Sequence, residues 1–134
     1  MDYLQSLAVS AAGMSLERTR VEAATRNLAF AHTPQAASGG FQPQRVVLRA
    51  GWTEALTAAA PQVQLEPSAV PPRLVLEPGH PLADERGFVA YPGVDVATEM
   101  VTLMSASRGY EANVAALNTA RSMALRTLDI GKGS

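Results

Sequence analysis

The segment from Pro92 to Gly131 decides the fold. It begins PGVDVATEMV at residues 92–101 and continues to Gly131 without another proline and with one internal glycine, Gly109. Apolar residues recur at steps of three and four, which is typical of a helix with a wide apolar stripe. The main stripe contains Met100, Leu103, Tyr110, Val114, Leu117, Ala124 and Leu128, and a second set beside it contains Val101, Met104, Ala120 and Met123.

The two ends of this helix carry recognisable signals. We predict that Asp95 caps its start, because a carboxylate there can accept a hydrogen bond from a free N–H of the first turn. Glu99 adds negative charge near the positive end of the helix dipole. Gly131 is predicted to end the helix. A helix of about 35 residues spans roughly 50 Å, too long for one small domain to cover, so we expect it to need partners.

The N-terminal segment supplies one such partner. We predict a helix over residues 1–31, ended by Thr33 and Pro34, since proline lacks an N–H and restricts the residue before it. Small residues on its flanks would let another helix approach closely. The apolar positions with the same three- and four-residue spacing are Leu4, Leu7, Ala11, Met14, Val21 and Leu28.

The middle of the chain has a different pattern. Alternation and β-branched residues predict strands at 41–49, 63–66 and 73–76, and a short strand at 88–89. Residues 52–60 fit either a short helix or a loop. The predicted class is therefore α+β, with long terminal helices paired as a coiled-coil-like hairpin. The predicted domains are a discontinuous helical unit, residues 1–33 with 93–131, and a small β-rich unit, residues 34–92.

Composition excludes several classes of function. The net charge of −1 argues against nucleic-acid binding, because little would neutralise a phosphate backbone. The absence of cysteine excludes disulfides and thiolate chemistry. No apolar run approaches the roughly 18 residues of a membrane span. The first residues carry no basic segment before an apolar one, so we expect no cleaved secretory signal.

Residues that could carry chemistry are few. His32 and His80 are the only histidines, and each lies near a proline. His80 with Asp84 and Glu85 could be drawn as a metal set, but no second ligand pair has helical metal spacing. The serines of the last helix lack a base and an orienting residue in the pattern. We therefore predict no catalytic residue, no metal site and no cofactor.

Polar residues interrupt the apolar pattern of the last helix. Arg108, Glu111 and Asn113 lie close to Tyr110. One interpretation is a solvated helix surface with one buried aromatic ring. The other is that polar residues inside an apolar stripe fix the register against a neighbouring helix. The pattern alone leaves both interpretations open.

Three motifs carry a resemblance to a known family. PGHPLADERGFV at 78–89, followed by PGVDVATEMV at 92–101, resembles the proximal-rod members of the flagellar axial family of rod and hook proteins. SASRGYEANV at 105–114 is similar to the C-terminal signature of that family. AATRNLAFAHTP at 23–34 is similar to its N-terminal signature, with Phe30 where a second asparagine is usual. The turn motif Pro78, Gly79, His80 and Pro81 narrows the resemblance to the proximal rod.

The resemblance implies a structural role in the basal body. Such subunits stack helically, with paired terminal helices in the inner wall of a tube and the β unit outside, and form a torque-transmitting shaft. The implied partners are copies of the chain, other flagellar rod proteins, the rod–membrane-ring adaptor and the flagellar type III export apparatus. The implied location is the periplasm-spanning rod, reached without cleavage of a signal peptide. No nucleic acid and no membrane span are expected.

Two alternatives remain beside this interpretation. One is another proximal-rod axial subunit, and the other is a small helical adaptor or enzyme unrelated to flagella. On the main interpretation, the residues expected to pack between subunits follow the two apolar stripes. They are Leu4, Leu7, Met14, Val21, Asn27, Leu28, Met100, Leu103, Tyr110, Asn113, Val114, Leu117 and Leu128.

Overall fold

The protein is described by a computed structural model that covers residues 3–36, 39–49 and 63–132, without the side chain of Leu4. Two long helices enclose four short strands along the chain. In chain order the elements are α1 (Tyr3–Phe30), β1 (Gln44–Leu48), β2 (Val63–Pro67), β3 (Arg73–Leu76), β4 (Phe88–Tyr91) and α2 (Val96–Lys132). The α+β class predicted from the sequence is confirmed.

The helices pack against each other along most of α1. α1 has 28 residues and α2 has 37, so α2 is about 55 Å long. α2 runs through Gly131 to Lys132, and the prediction that Gly131 ends the helix is wrong. A glycine stops a helix when it takes a left-handed conformation. Gly131 keeps a negative φ, so it continues the helix instead.

The strands form two separate antiparallel pairs. In the first, Gln44 of β1 lies opposite Pro67 of β2; in the second, Arg73 of β3 lies opposite Tyr91 of β4. All four predicted strand positions hold a strand. β1 is shorter than the predicted 41–49, and β4 extends beyond 88–89 to Tyr91, just before Pro92. The ambiguous stretch at 52–60 lies outside the described residues.

Most of the buried residues lie in the last third of α1, just after it, in β4 and in the first third of α2, and the strands that pack against α1 are β1 and β2. The backbone N–H of Gln35, just after α1, donates to the carbonyl of Ala90 in β4 at 2.9 Å. Most of the buried apolar side chains are small, so the single chain removes little apolar surface from water. In the described part of the chain they are Ala23, Ala24, Ala31, Val89, Ala90 and Ala106, together with Pro43 and Pro92.

Candidate subunit-packing site

A buried asparagine joins three elements at the base of the helix pair. Asn27 on α1 is 2% exposed. Its Nδ2 donates to the Gln44 carbonyl of β1 at 2.8 Å and to Oε1 of Glu99 on α2 at 3.1 Å. Its Oδ1 accepts from the Gln44 N–H at 2.9 Å. This set of contacts, which we call the Asn27 clamp, connects α1, α2 and the β region through one amide.

The Asn27 clamp uses the whole side-chain amide. Both Nδ2 hydrogens and the oxygen have partners, as a buried polar group requires. The predicted role of Asn27 was packing between subunits, whereas the structure places this amide inside the chain. The sequence pattern does not predict its partners. Glu99 is expected only to interact with the helix dipole, and no motif marks Gln44 as a hydrogen-bond partner. The one available sign was the position of Asn27 within the N-terminal signature.

The face of α2 that lies against α1 carries small and polar side chains. Ala106, at its centre, has no exposed surface. Glu99, Asn113 and Ala120 lie on the same face and are half-buried. Small side chains let the two helices approach closely. The inner face of the pair is therefore narrow and contributes little hydrophobic burial of its own.

Several large apolar side chains of α2 point away from α1. Met104 is 58% exposed, and Met100, Val101 and Met123 are exposed as well. This distribution departs from the two stripes read in the sequence, because Met100 of the main stripe and Met104 of the second share the outward face. The outward face therefore presents large apolar residues that α1 does not cover.

The predicted packing residues fall into two groups. Those half-buried in the single chain are Leu7, Met14, Val21, Leu28, Leu103, Asn113, Val114 and Leu117. Those exposed in the single chain are Met100, Tyr110 and Leu128. The side chain of Leu4 lies outside the described residues. The first group is partly covered within the single chain, and the second is not.

The exposure of Leu128 results from the unequal lengths of the helices. Leu128 continues the line of Leu117 and Ala124, which are half-buried, yet it is 63% exposed. The antiparallel register that joins Asn27 to Glu99 places Tyr3, the first described residue of α1, opposite Met123. Residues 124–132 thus extend about 13 Å past the level of Tyr3. We call this segment the α2 overhang.

Asp95 caps α2 as predicted. Its Oδ1 accepts from the N–H of Ala97 at 3.2 Å, its Oδ2 accepts from the hydroxyl of Thr98, and its carbonyl accepts from the N–H of Glu99 at 3.0 Å. The bond from Thr98, together with the backbone N–H groups, holds the pKa of Asp95 below its usual value, because these donors favour the charged carboxylate.

The Pro78–Pro81 turn is held by its own hydrogen bonds. His80 N–H donates to the Glu77 carbonyl at 3.0 Å, and Nδ1 of His80 accepts from the N–H of Leu82 at 3.1 Å. Oδ1 of Asp84 accepts from the N–H groups of Arg86 and Phe88 at 2.9 and 2.8 Å. Two of the three groups drawn from the sequence as a possible metal set, His80 and Asp84, therefore bind backbone.

Phe30, where the family pattern has a second asparagine, has an aromatic partner. Its ring stacks on Phe41 with the ring centroids 4.6 Å apart and 22° between the planes. Such a pair adds about 0.5–1.5 kcal/mol beyond the area it buries. The end of α1 is thus tied to the segment that leads into β1 by an apolar contact as well as by the Asn27 clamp.

Within residues 3–36, 39–49 and 63–132, no cluster of three or more His, Asp or Glu side chains is placed to hold a metal ion. In the same part of the chain, no helix is apolar enough over a sufficient length to cross a membrane. What the described geometry offers is packing surface: the outward face of α2, the α2 overhang and the helix pair that carries them.

Comparison with known proteins agrees with this geometry. Residues 85–130 match the family described as flagellar basal body rod FlgEFG protein C-terminal. This match covers β4 and nearly all of α2.

Similar proteins extend the match to nearly the whole chain. The chain is 38% identical to the flagellar basal-body rod protein FlgC of Escherichia coli O6:H1 and 37% identical to that of Salmonella typhimurium. It is 32% identical to the FlgC protein of Bacillus subtilis. Each alignment covers 98% of this chain and 100% of the relative.

Proposed function

Because this chain belongs to the FlgC family of flagellar basal-body rod proteins, we propose that it forms part of the proximal rod and stacks helically with other axial proteins into a torque-transmitting shaft. Family membership makes it a structural subunit of the flagellar basal-body rod. The finer role rests on the surfaces that the structure leaves exposed.

The observation that supports stacking is the outward apolar face of α2. Met100, Val101 and Met104 lie exposed on a helix that already has α1 as a partner. Clusters of exposed apolar side chains are typical of surfaces that other proteins cover. The α2 overhang, with Leu128 exposed, is a second surface that α1 does not cover. Contact between unlike patches builds an open helical assembly rather than a closed dimer.

The proposed partners follow from this arrangement. Copies of the chain and other flagellar rod proteins would cover the helices, and the rod–membrane-ring adaptor would meet one end of the stack. The division into a helical unit, 1–33 with 93–131, and an outer β unit, 34–92, is part of the same proposal. No catalytic role is proposed for His80, whose Nδ1 is occupied by the Leu82 N–H.

The proposal includes export as an unfolded chain through the flagellar type III apparatus, without cleavage of a signal peptide. The absence of cysteine supports it, because no disulfide would hold the chain folded. The small size of the buried core side chains supports it too, since little apolar burial would need to be undone before passage. The proposed location is the periplasm-spanning rod of the basal body.

Complementation tests the proposal. The gene is placed in a strain that lacks its own FlgC-family protein, alongside a variant in which Met104 is replaced by Asp. Met104 is exposed in the single chain, so the charge should leave the fold unchanged, but burying it between subunits would be costly. We expect the unmodified chain to restore rods, seen by electron microscopy, and Met104→Asp to abolish them while export continues.

The matched control is Asn118→Asp, which adds the same charge at an exposed polar position of α2. It should support rods and swimming. Failure of the unmodified chain to enter rods would refute the rod assignment. Normal rods with Met104→Asp would show that the outward face of α2 is not a packing surface.

A further inference from the structure

Two glycines on the paired helices each face a polar side chain of the other helix. At Gly13 of α1, a Cβ atom would lie 2.6 Å from Oδ1 and 2.8 Å from Cγ of Asn113 on α2. At Gly109 of α2, a Cβ atom would lie 2.9 Å from the carboxylate carbon of Glu17 on α1. Both distances are shorter than a real Cβ contact, so each polar side chain occupies the space that the missing Cβ leaves.

The two contacts are reciprocal and share one register. Glu17 follows Gly13 by one helical turn, and Asn113 follows Gly109 by the same four residues. Each helix therefore carries one glycine and one polar side chain on the face toward the other. Asn27 lies ten residues after Glu17 on α1, and its partner Glu99 lies ten residues before Gly109 on α2. All three pairs agree on a single antiparallel alignment.

The polar side chains are held where they lie. Nδ2 of Asn113 donates to the carbonyl of Gly109 on its own helix at 2.8 Å. Oε2 of Glu17 pairs with Nη1 of Arg20 at 2.9 Å, and the Glu17 side chain is only 15% exposed. The short Asn113 side chain is tied to its own helix and has little freedom to move aside for a methyl group. Glu17 is longer, and moving its carboxylate aside disturbs its pair with Arg20. The space at each glycine is thus needed for the observed alignment.

We propose that these pairs, Asn113 in the notch at Gly13 and Glu17 in the notch at Gly109, form a register lock for the helix hairpin. A slip of one turn, about 5.4 Å, would move Asn113 from Gly13 to Val9 or Glu17, where a side chain already occupies the space. The lock resolves the choice left open by the sequence: Asn113 specifies alignment rather than forming a solvated surface.

The lock has a consequence for assembly, and this step rests on the proposed function. The alignment of the helices sets how far the α2 overhang extends past α1. A copy in another register would present an overhang too long or too short by about one turn to the neighbour that covers it. The lock would therefore make every copy present the same overhang when the helix pair closes in the rod.

Whether a glycine-to-alanine change raises or lowers the number of completed rods tests the lock. Alanine is the better helix former, so this change is favourable or neutral at an open helical glycine. At Gly13 and Gly109 the added methyl group would meet the polar side chain of the other helix. This overpacking would be repeated in every subunit. We therefore expect Gly13→Ala and Gly109→Ala each to reduce completed rods by roughly tenfold or more. Gly131→Ala is the matched control, because nothing lies within 4 Å of its Cβ position. It should give normal rods.

Second changes make the test specific to the register. Asn113→Ala removes the three atoms nearest to the Cβ position at Gly13, so it should restore rods to Gly13→Ala but not to Gly109→Ala. Glu17→Ala should restore Gly109→Ala but not Gly13→Ala. Export of each variant is measured in parallel. Asn113→Ala or Glu17→Ala alone should lower completed rods less than the glycine variants do, because the other pair and the Asn27 clamp still set the alignment.

Several outcomes would overturn the lock. They are normal rods with either glycine variant, rescue in the crossed combinations, or absence of rescue in the matched ones. These outcomes are distinct from a failure of the rod assignment. If the rod assignment failed, the unmodified chain and Gly131→Ala would also be absent from rods.

Discussion

At the scale of single residues, buried polar groups carry more of the specificity of this chain than large apolar ones. The Asn27 clamp satisfies one amide with three hydrogen bonds to two other elements. A leucine at the same place would bury more apolar area, but it would leave the N–H and carbonyl of Gln44 without partners. The amide thus fixes the geometry with which α1, β1 and α2 meet.

The clamp leads to a stability prediction. Replacing Asn27 by Ala leaves the backbone N–H and carbonyl of Gln44 unpaired in a partly buried place, at about 1–3 kcal/mol for each group. We therefore expect the free energy of unfolding to fall by about 2–4 kcal/mol. Urea unfolding followed by circular dichroism measures it. Asn118→Ala, at an exposed position, should change stability by less than about 0.5 kcal/mol. Equal stability of the two variants would show that the clamp adds nothing.

At the scale of the elements, α2 combines two surfaces of different exposure. Its inner side carries Ala106 and Asn113 together with the half-buried Leu117, and its outer face carries Met100 and Met104. An amphipathic helix with a single partner usually keeps its large apolar side chains on one face. The exposed methionines of α2 are reasonable for a helix that has other chains as further apolar partners.

The start of α2 supplies a pH prediction. The pKa of Asp95 is lowered in the folded protein from a usual value near 3.8, so its capping contribution is fully present above that value and is lost as the pH falls through the lower folded pKa. We expect the amide resonance of Ala97, which donates to Asp95, to shift in that acid range. In Asp95→Asn, which keeps an acceptor but does not titrate, this shift should be absent. A shift of equal size in Asp95→Asn would assign it to another group.

At the scale of the whole molecule, stability is distributed unevenly. In the described part of the chain, the fully buried side chains of α1 lie in its last third, at Ala23, Ala24 and Asn27, and α2 contributes Ala106. Among the described residues at the other end of the hairpin, including the α2 overhang, none is buried to a similar degree. Ordering the backbone there costs about 1–2 kcal/mol per residue, which the thin contact between two helices offsets poorly.

This distribution predicts a gradient of protection in the dilute monomer. Amide hydrogens of residues 3–16 and 110–132 should exchange quickly, and those near Asn27, Ala106 and Val89 should exchange most slowly. Hydrogen exchange followed by mass spectrometry at low protein concentration measures it. Incorporation into rods should protect the whole of both helices. Uniform, strong protection in the monomer would show that the helix pair needs no neighbours.

The amino-acid sequence by itself determined the class of fold and the positions of its elements. Three- and four-residue spacing predicts helices at both ends, alternation predicts the four strands, and Asp95 signals the cap of α2. These features depend on short stretches of chain, where the period of the backbone and local hydrogen bonds decide the outcome. The motifs around Gly109 and the Pro78–Pro81 turn indicated the protein family.

Only the tertiary structure decided which surfaces meet. The spacing of Met100, Met104 and Leu117 shows that they lie on a helix, but not which of them faces α1, because the angular position of a partner is not encoded in the period. The Asn27 clamp joins residues far apart in sequence, and the notches at Gly13 and Gly109 exist only when both helices are in place. Such contacts depend on alignment between elements, which no local pattern specifies.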